Sequence, residues 1–323
     1  MDDVSCDPPA FVAALDAWVL SRFADVAAAL RDPRLSPSPM HEASLGARTA
    51  PRESSWLDAR TLDDRLRVSA STRVREVPSG SRVDLVGDFA APWSLDLAAS
   101  VCGIELVPAS TLATLSTLAR EAFVAAAHAR EAVPAPLGSS AVSELARALA
   151  SHRALAPLDV QTFVALTHTL PCTLGSVWLA LLERPDQMGE LRTERARIPR
   201  AVEELLRFAG PSRAVFRYAH EQTLIGGSAI AAGARVVLLL SNANRDPSRF
   251  ADGHRLDVRR DAVGHLAFGR GTHGCVGAGL IRSAVRAATE ALLEATRSIE
   301  LAGEVEWIDG FAIRGVVSLP VRL

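Results

Sequence analysis

Apolar positions in this chain recur mostly at helical spacing, with a few short alternating runs between them. Residues 23–31 (FADVAAALR) carry one such pattern, ended by Asp32-Pro33. Residues 82–106 carry a second around DFAAPWSLDLAASVCGIEL, and residues 111–130 a third. The longest pattern runs over 159–192, where Pro171 interrupts it and predicts a kink or local opening near residues 167–169. Residues 200–208 form a further helix stopped by Ala209-Gly210-Pro211, and the last helix runs from the glycine-rich segment to about residue 297.

Strand signals are shorter. Residues 226–240 (GGSAIAAGARVVLLL) predict two short strands around a turn, and the tail VVSLPVRL is strand-like. Residues 36–55 form a polar, proline-bearing connection, AVPAPLGSS at 132–140 a breaker, and 242–264 a loop-rich stretch. With no internal repeat and no evident linker, the expectation is one mainly α domain over 1–323, with small β-sheets.

Composition narrows the function classes. The chain has 323 residues, 49% apolar and 22% charged, with a net charge of −2, which gives no reason to expect nucleic acid as a partner. No lysine is present, so all 35 basic residues are arginine. A GC-rich coding bias produces such a set, so each arginine's role must be argued from its position. Four cysteines, Cys6, Cys102, Cys172 and Cys275, show no CxxC spacing, as expected in a reducing cytosol. The N-terminus MDDVSCDPPAF lacks an apolar signal core, and no apolar run approaches the roughly 18 residues of a membrane span. The expected location is the cytoplasm, with no membrane partner.

The chemistry concentrates in HLAFGRGTHGCVGAGL, residues 265–280, where glycines surround one cysteine ahead of an apolar helix. Gly269, Gly271 and Gly274 spell GxGxxG, but a dinucleotide site needs a βαβ unit and an acidic residue about 20 positions on. His273 and Cys275 supply only two of the four ligands that structural zinc takes. An inert cysteine in a glycine turn is the bland reading. A haem thiolate is the specific one. At a helix start, unpaired N–H groups and the helix dipole stabilise a thiolate, and glycines let the backbone approach a flat macrocycle. The residues taken alone leave these readings open.

FGRGTHGCVG, residues 268–277, resembles the Phe-Gly-x-Gly-x-His-x-Cys-x-Gly cysteine loop of the cytochrome P450 family at every fixed position. EELLR resembles that family's Glu-x-x-Arg pair through Glu204 and Arg207, with Arg260 in LDVRRDAVGH as third member of an ion network. SNANRDPSRF and AWVLSRFADVAAALRDPRLS resemble its Asn-Arg-Asp-Pro segment and its opening strand and helix. The resemblance implies a compact version of the P450 fold holding haem b, with Cys275 as proximal metal ligand. It places Phe268, Gly269 and Gly277 against the cofactor, and Arg67, Arg217 and His273 at the propionates. Thr169 takes the distal alcohol position and His168 the position of the acid before it, both implied to manage protons.

The departures bear on chemistry. In Ala165-Leu166-Thr167-His168-Thr169, histidine replaces the family's usual acid and Leu166 its glycine, which would crowd the distal face. Asp63 stands where the family often has histidine, and the chain looks trimmed after Arg67 and between Gly103 and Ala165, where the family builds its substrate lid. A reduced lid predicts an open pocket, or one completed by a partner or large substrate. The resemblance implies monooxygenation of a small organic or carrier-bound substrate in bacterial specialised metabolism. Electrons would come from a ferredoxin-type partner docked near arginines such as Arg270. Two alternatives stand beside it: atypical haem-thiolate chemistry (peroxide-driven oxidation, cross-linking, rearrangement or dehydration), and a non-catalytic partner for another biosynthetic enzyme.

Overall fold

The long apolar pattern in the middle of the chain becomes the helical axis around which the rest packs. The computed structural model describes residues 6–37, 59–77, 82–104, 107–129, 140–151 and 157–323. The polar connection over 36–55 lies outside these residues apart from Ser36 and Pro37, and the breaker at 132–140 apart from Ser140. In chain order come β1 (Ala10–Val12), β2 (Ala17–Leu20), α1 (Phe23–Ala29), β3 (Leu35–Ser36), α2 (Ala59–Arg75), β4 (Arg82–Asp84), α3 (Ala91–Cys102) and α4 (Ala109–His128). Then follow α5 (Ser140–Ala150), α6 (Pro157–Val164), α7 (Leu170–Leu182), α8 (Pro185–Thr193) and α9 (Ile198–Ala209). The last third holds β5 (Ala214–Ala219), β6 (Thr223–Ile225), β7 (Ser228–Ile230), β8 (Arg235–Leu239) and α10 (Leu240–Ala243). It closes with α11 (Ala278–Ala295), β9 (Glu300–Leu301), β10 (Glu306–Asp309), β11 (Arg314–Ser318) and β12 (Pro320–Arg322). This is the expected mainly α fold with small sheets.

The predicted kink is a π turn over Ala165–Thr169, joining α6 to α7, in which Leu170 N–H donates to the Ala165 carbonyl five residues back. Pro171 has no N–H to close the next regular bond, so the backbone widens just ahead of it. Threonine hydroxyls bond nearby carbonyls: Thr167 Oγ1 donates to Phe163 O at 2.7 Å and Thr173 Oγ1 to Thr169 O at 2.7 Å. From Leu170 to Leu181 every residue of α7 is buried. Contrary to the expectation from the apolar runs, Val160–Leu182 is long and apolar enough to cross a membrane, but 78% of its most apolar window is buried inside the fold. Its hydropathy is that of a core helix.

Close backbone approach holds α7 against β11. A Cβ at Gly315 would fall 2.1 Å from Cys172 Sγ, so only glycine fits there. Ser176 Oγ bridges the same contact, donating to Cys172 O at 2.8 Å and accepting from Val316 N–H at 3.1 Å. On another side Trp178 stacks on Phe89 at 5.5 Å and donates to Thr289 of α11.

The largest sheet has the order β1-β2-β8-β5-β3, with β2 and β8 parallel and its other pairs antiparallel. One expectation needs correction. Residues 82–84 are strand rather than helix, because β12 pairs with them antiparallel from the far end of the chain. Asp84 then accepts Val86 N–H at 2.9 Å and Leu319 N–H at 2.7 Å, leading into a π turn over Leu85–Ala90 ahead of α3. The 226–240 stretch holds its two expected strands, β7 and β8, but they pair with different neighbours: the turn at Gly226-Gly227 closes a β6–β7 hairpin, while β8 sits between β2 and β5. Local periodicity cannot see either distant partner.

Candidate functional site

The cysteine loop follows from glycine geometry and a few long-range bonds. Gly269 and Gly271 sit at φ +64° and +74°, and a Cβ at Gly271 would fall 2.5 Å from Leu30 O, so the loop lies flush on the end of α1. Asn244 Oδ1 accepts Leu266 N–H at 2.6 Å at the loop's start. Phe268 O accepts Cys275 N–H at 2.9 Å, which brings Phe268 and Cys275 together across the intervening glycines. Cys275 stands two residues before Gly277, which caps α11.

Cys275 is the exposed one of the four cysteines. Burial around its sulfur holds the thiol pKa above its ordinary value, outweighing the Gly277 N–H and the Arg282 charge, which pull it down. Cys172, by contrast, is pushed by burial up to about 12 and is chemically inert. The donor set at Cys275 fits a centre that takes one protein thiolate and one backbone N–H on sulfur. It does not fit zinc: among the described residues no three His, Cys, Asp or Glu side chains group as metal ligands.

Beneath the loop, Glu204, Arg207 and Arg260 come together. Arg207 donates to Glu204 through Nε at 2.6 Å and Nη2 at 2.8 Å, and Arg260 Nε reaches Glu204 Oε1 at 3.1 Å. Arg207 also donates to the carbonyls of Asn244 at 2.6 Å and Gly253 at 2.7 Å, and Asp257 N–H donates to Glu204. The network ties α9 to the loop-rich stretch before the cysteine segment.

The remaining candidates divide. Arg217 is buried in β5 and donates to Phe216 O at 2.7 Å; His273 is half-buried in a short turn over Gly271–His273. Arg67 is exposed on α2, where its guanidinium lies 3.5 Å from the Asp64 carboxylate. Asp63 lies 3.7 Å from Arg286 of α11, an ion pair where the family often has histidine. His168 Nε2 bonds Ser116 O at 2.8 Å, and its ring stacks on Phe123 at 5.8 Å. Burial lowers its pKa, so the ring is held neutral. Leu166 is buried in the main core and Thr169 is half-buried beside it.

Three functional-site neighbours escape a motif reading: Glu203, His265 and Arg282. Arg282 donates to Glu203 through Nε at 2.6 Å and Nη2 at 3.2 Å, and His265 Nε2 lies 3.4 Å from the same carboxylate. The available signal was the doubled glutamate of EELLR, whose two members point to different partners.

Comparison with known proteins agrees with this geometry. A family profile described as Cytochrome P450 matches residues 161–301. The cytochrome P450 monooxygenase PikC of Streptomyces venezuelae is 45% identical over 147 residues, 44% of this chain and 35% of its own length, so that match spans about a third of the relative. Nocardicin C N-oxygenase of Nocardia uniformis subsp. tsuyamanensis is 31% identical over 95% of this chain and 89% of its own. Among solved structures, the LnmA cytochrome P450 hydroxylase of Streptomyces atroolivaceus S-140 superposes with a TM-score of 0.74 at 28% identity, covering 95% of this chain and 90% of that one. Near-complete alignment at this identity, on a shared architecture with the cysteine loop intact, makes the chain a member of the cytochrome P450 family, whose cofactor is haem held by a cysteine thiolate.

Proposed function

We propose that the chain is a haem-thiolate monooxygenase acting on a small specialised metabolite, free or carrier-bound. The observation that carries the reading is the cysteine loop itself: a single exposed thiol, a backbone N–H on its sulfur, and the buried Glu204–Arg207–Arg260 network beneath. Bound haem supplies oxidation with dioxygen and two electrons, inserting one oxygen atom into substrate and releasing the other as water.

This chain's own residues would do the rest. Cys275 would hold the group, with Phe268, Gly269 and Gly277 shaping the contact. Arg217 and His273 would offer donors to propionate carboxylates, with Arg67, now beside Asp64, as the third candidate. Thr169 at the π turn presents a hydroxyl for proton delivery. We further propose one domain over 1–323, a cytoplasmic location and a ferredoxin-type electron donor docking near Arg270.

A second reading has its own support. His168, in the acid's position, is engaged by the Ser116 carbonyl and kept neutral by burial. A distal side poor in acid suits direct use of peroxide, which brings its own protons and electrons. Turnover with peroxide but not with a donor system would favour it.

The deciding experiment is the absorption spectrum of the reduced, carbon-monoxide-bound protein beside Cys275→Ser. A strongly red-shifted thiolate band in the wild type, lost in the variant, is expected. Absence of bound haem, or a band that survives the substitution, would overturn the reading in favour of a non-catalytic partner protein.

A further inference from the structure

Between them α2 and α3 leave a trough of about 350 Å³ that none of the residues assigned above lines. A volume of this size holds a small organic molecule. Along α2 the wall runs from Leu62 to Glu76, about 21 Å of helix. So small a volume spread over that length is a narrow channel, which admits one extended chain and excludes a fused-ring body.

The floor is apolar. Leu66 and Trp93, each 2% exposed, form it, with Leu62, Leu97 and Val101 beside them. Its polar atoms are already engaged: Trp93 Nε1 donates to Ser69 Oγ at 2.9 Å, and Ser69 Oγ donates to Leu66 O at 3.1 Å. A sugar or nucleoside would give up its hydrogen bonds to water there without replacement, whereas a hydrocarbon chain would bury apolar surface.

The two ends differ in charge. Toward the C-terminal end of α2, Arg73 lies between two carboxylates, Glu76 at 2.8 Å and Asp96. One cation between two anions leaves that end net negative. Toward the N-terminal end, Arg65 meets Ser100 Oγ at 3.4 Å and, among the described residues, pairs with no carboxylate. The next arginine on the helix, Arg67, is already beside Asp64. An exposed guanidinium at one end of an apolar channel is matched by a carboxylate, which it can hold through two parallel bonds. A second anionic group at the far end would be repelled.

We propose that the α2–α3 trough binds an unbranched amphiphile with a single anionic head, of the class of a medium-chain carboxylate. Its chain lies over Leu66, Trp93 and Leu97, and its head takes Arg65. The site is distinct from the cysteine loop and does not depend on the haem-thiolate reading.

The test is equilibrium dialysis of the purified full chain with labelled decanoate, kept below the concentration at which it forms micelles. Wild type should bind it at a site that Leu97→Trp removes, because the larger side chain fills the channel. Arg65→Gln should weaken that site by roughly ten-fold, the scale of one lost charge-assisted hydrogen bond, and Arg65→Lys should keep most of the affinity. Decanol, the same chain without the charge, should bind wild type and Arg65→Gln alike. Decanoate binding that survives Leu97→Trp undiminished, unchanged affinity in Arg65→Gln, or a loss in that variant that decanol shares, overturns the proposal. If Leu97→Trp does not fold, Thr72→Trp decides from an exposed position on the same wall. Loss of the site in that variant supports the assignment, and unchanged binding overturns it. A dimer in sedimentation that Leu97→Trp dissociates would assign the trough to a second copy of the chain, and overturns it as well.

Discussion

Glu204 and Arg207, one turn apart on α9, meet through hydrogen bonds of 2.6 and 2.8 Å with neither side chain exposed. A charge pair this deep owes its stability to further partners: Arg207 also donates to the carbonyls of Asn244, Gly253 and Arg255, and Glu204 Oε1 also accepts from Asp257 N–H and Arg260 Nε.

Breaking one side strands the other. Glu204→Gln leaves the Arg207 charge buried without its counter-ion, and Arg207→Leu leaves the buried Glu204 carboxylate with Arg260 as the remaining cation beside Oε1 and with Oε2 stripped of its donor. Each should cost about 3–5 kcal/mol of folding stability. Urea denaturation would read this directly, and a loss under about 1 kcal/mol would show that the network is dispensable.

Overpacking offers a second check. Gly315→Ala drives a methyl to within 2.1 Å of Cys172 Sγ, in a contact where neither α7 nor β11 has room to shift. The expected loss is about 1–3 kcal/mol. Cys172→Ala in the same chain should return part of it, because the sulfur is the atom in the way. A double-mutant cycle with no coupling between the two sites would refute this close contact.

Acid should weaken the fold in a defined window. Hydrogen bonds from Arg34 hold the Asp32 carboxyl down at about 2. Burial alone would raise Glu203, but its contacts with His265 and Arg282 outweigh that and hold it at about 2 as well. Both folded values lie below the roughly 4 of an unfolded chain, so their stabilisation is present above about pH 4 and is lost as pH falls toward 2. Melting curves of wild type and Asp32→Asn should therefore differ most near neutral pH and converge near pH 2. A gap that stays constant with pH would contradict the assignment.

With Thr169 in the proton-delivery role proposed above, it and His168 should fail differently. His168→Ala removes the bond to Ser116 O and the stacking on Phe123, so it should loosen α4 and cost about 1–2 kcal/mol in denaturation. Thr169→Ala should leave stability and the thiolate spectrum intact while slowing product formation by about 10²-fold, the scale of one lost proton-transfer group. Measuring both variants by denaturation and by turnover separates the roles. Equal behaviour in the two assays would merge them.

Much of the fold and site was legible along the chain because the relevant physics is local. Helical periodicity located α1, α4, α9 and α11 to within a few residues, and Pro171 placed the π turn at Ala165–Thr169. FGRGTHGCVG around Cys275, by its resemblance to the family's cysteine loop, and the three-residue step from Glu204 to Arg207 pointed to the loop and its ion pair. Those signals depend on backbone conformation within one or two turns. The pairing of β4 with β12, the parallel pairing of β8 with β2, and the engagement of His168 by Ser116 depend on groups 52 or more residues away. The same holds for Glu203, which is indistinguishable from its neighbour Glu204 in sequence yet faces Arg282 from 79 positions off. Which carboxylate meets which cation is settled by helix packing and burial, since partners in space need share no pattern along the chain.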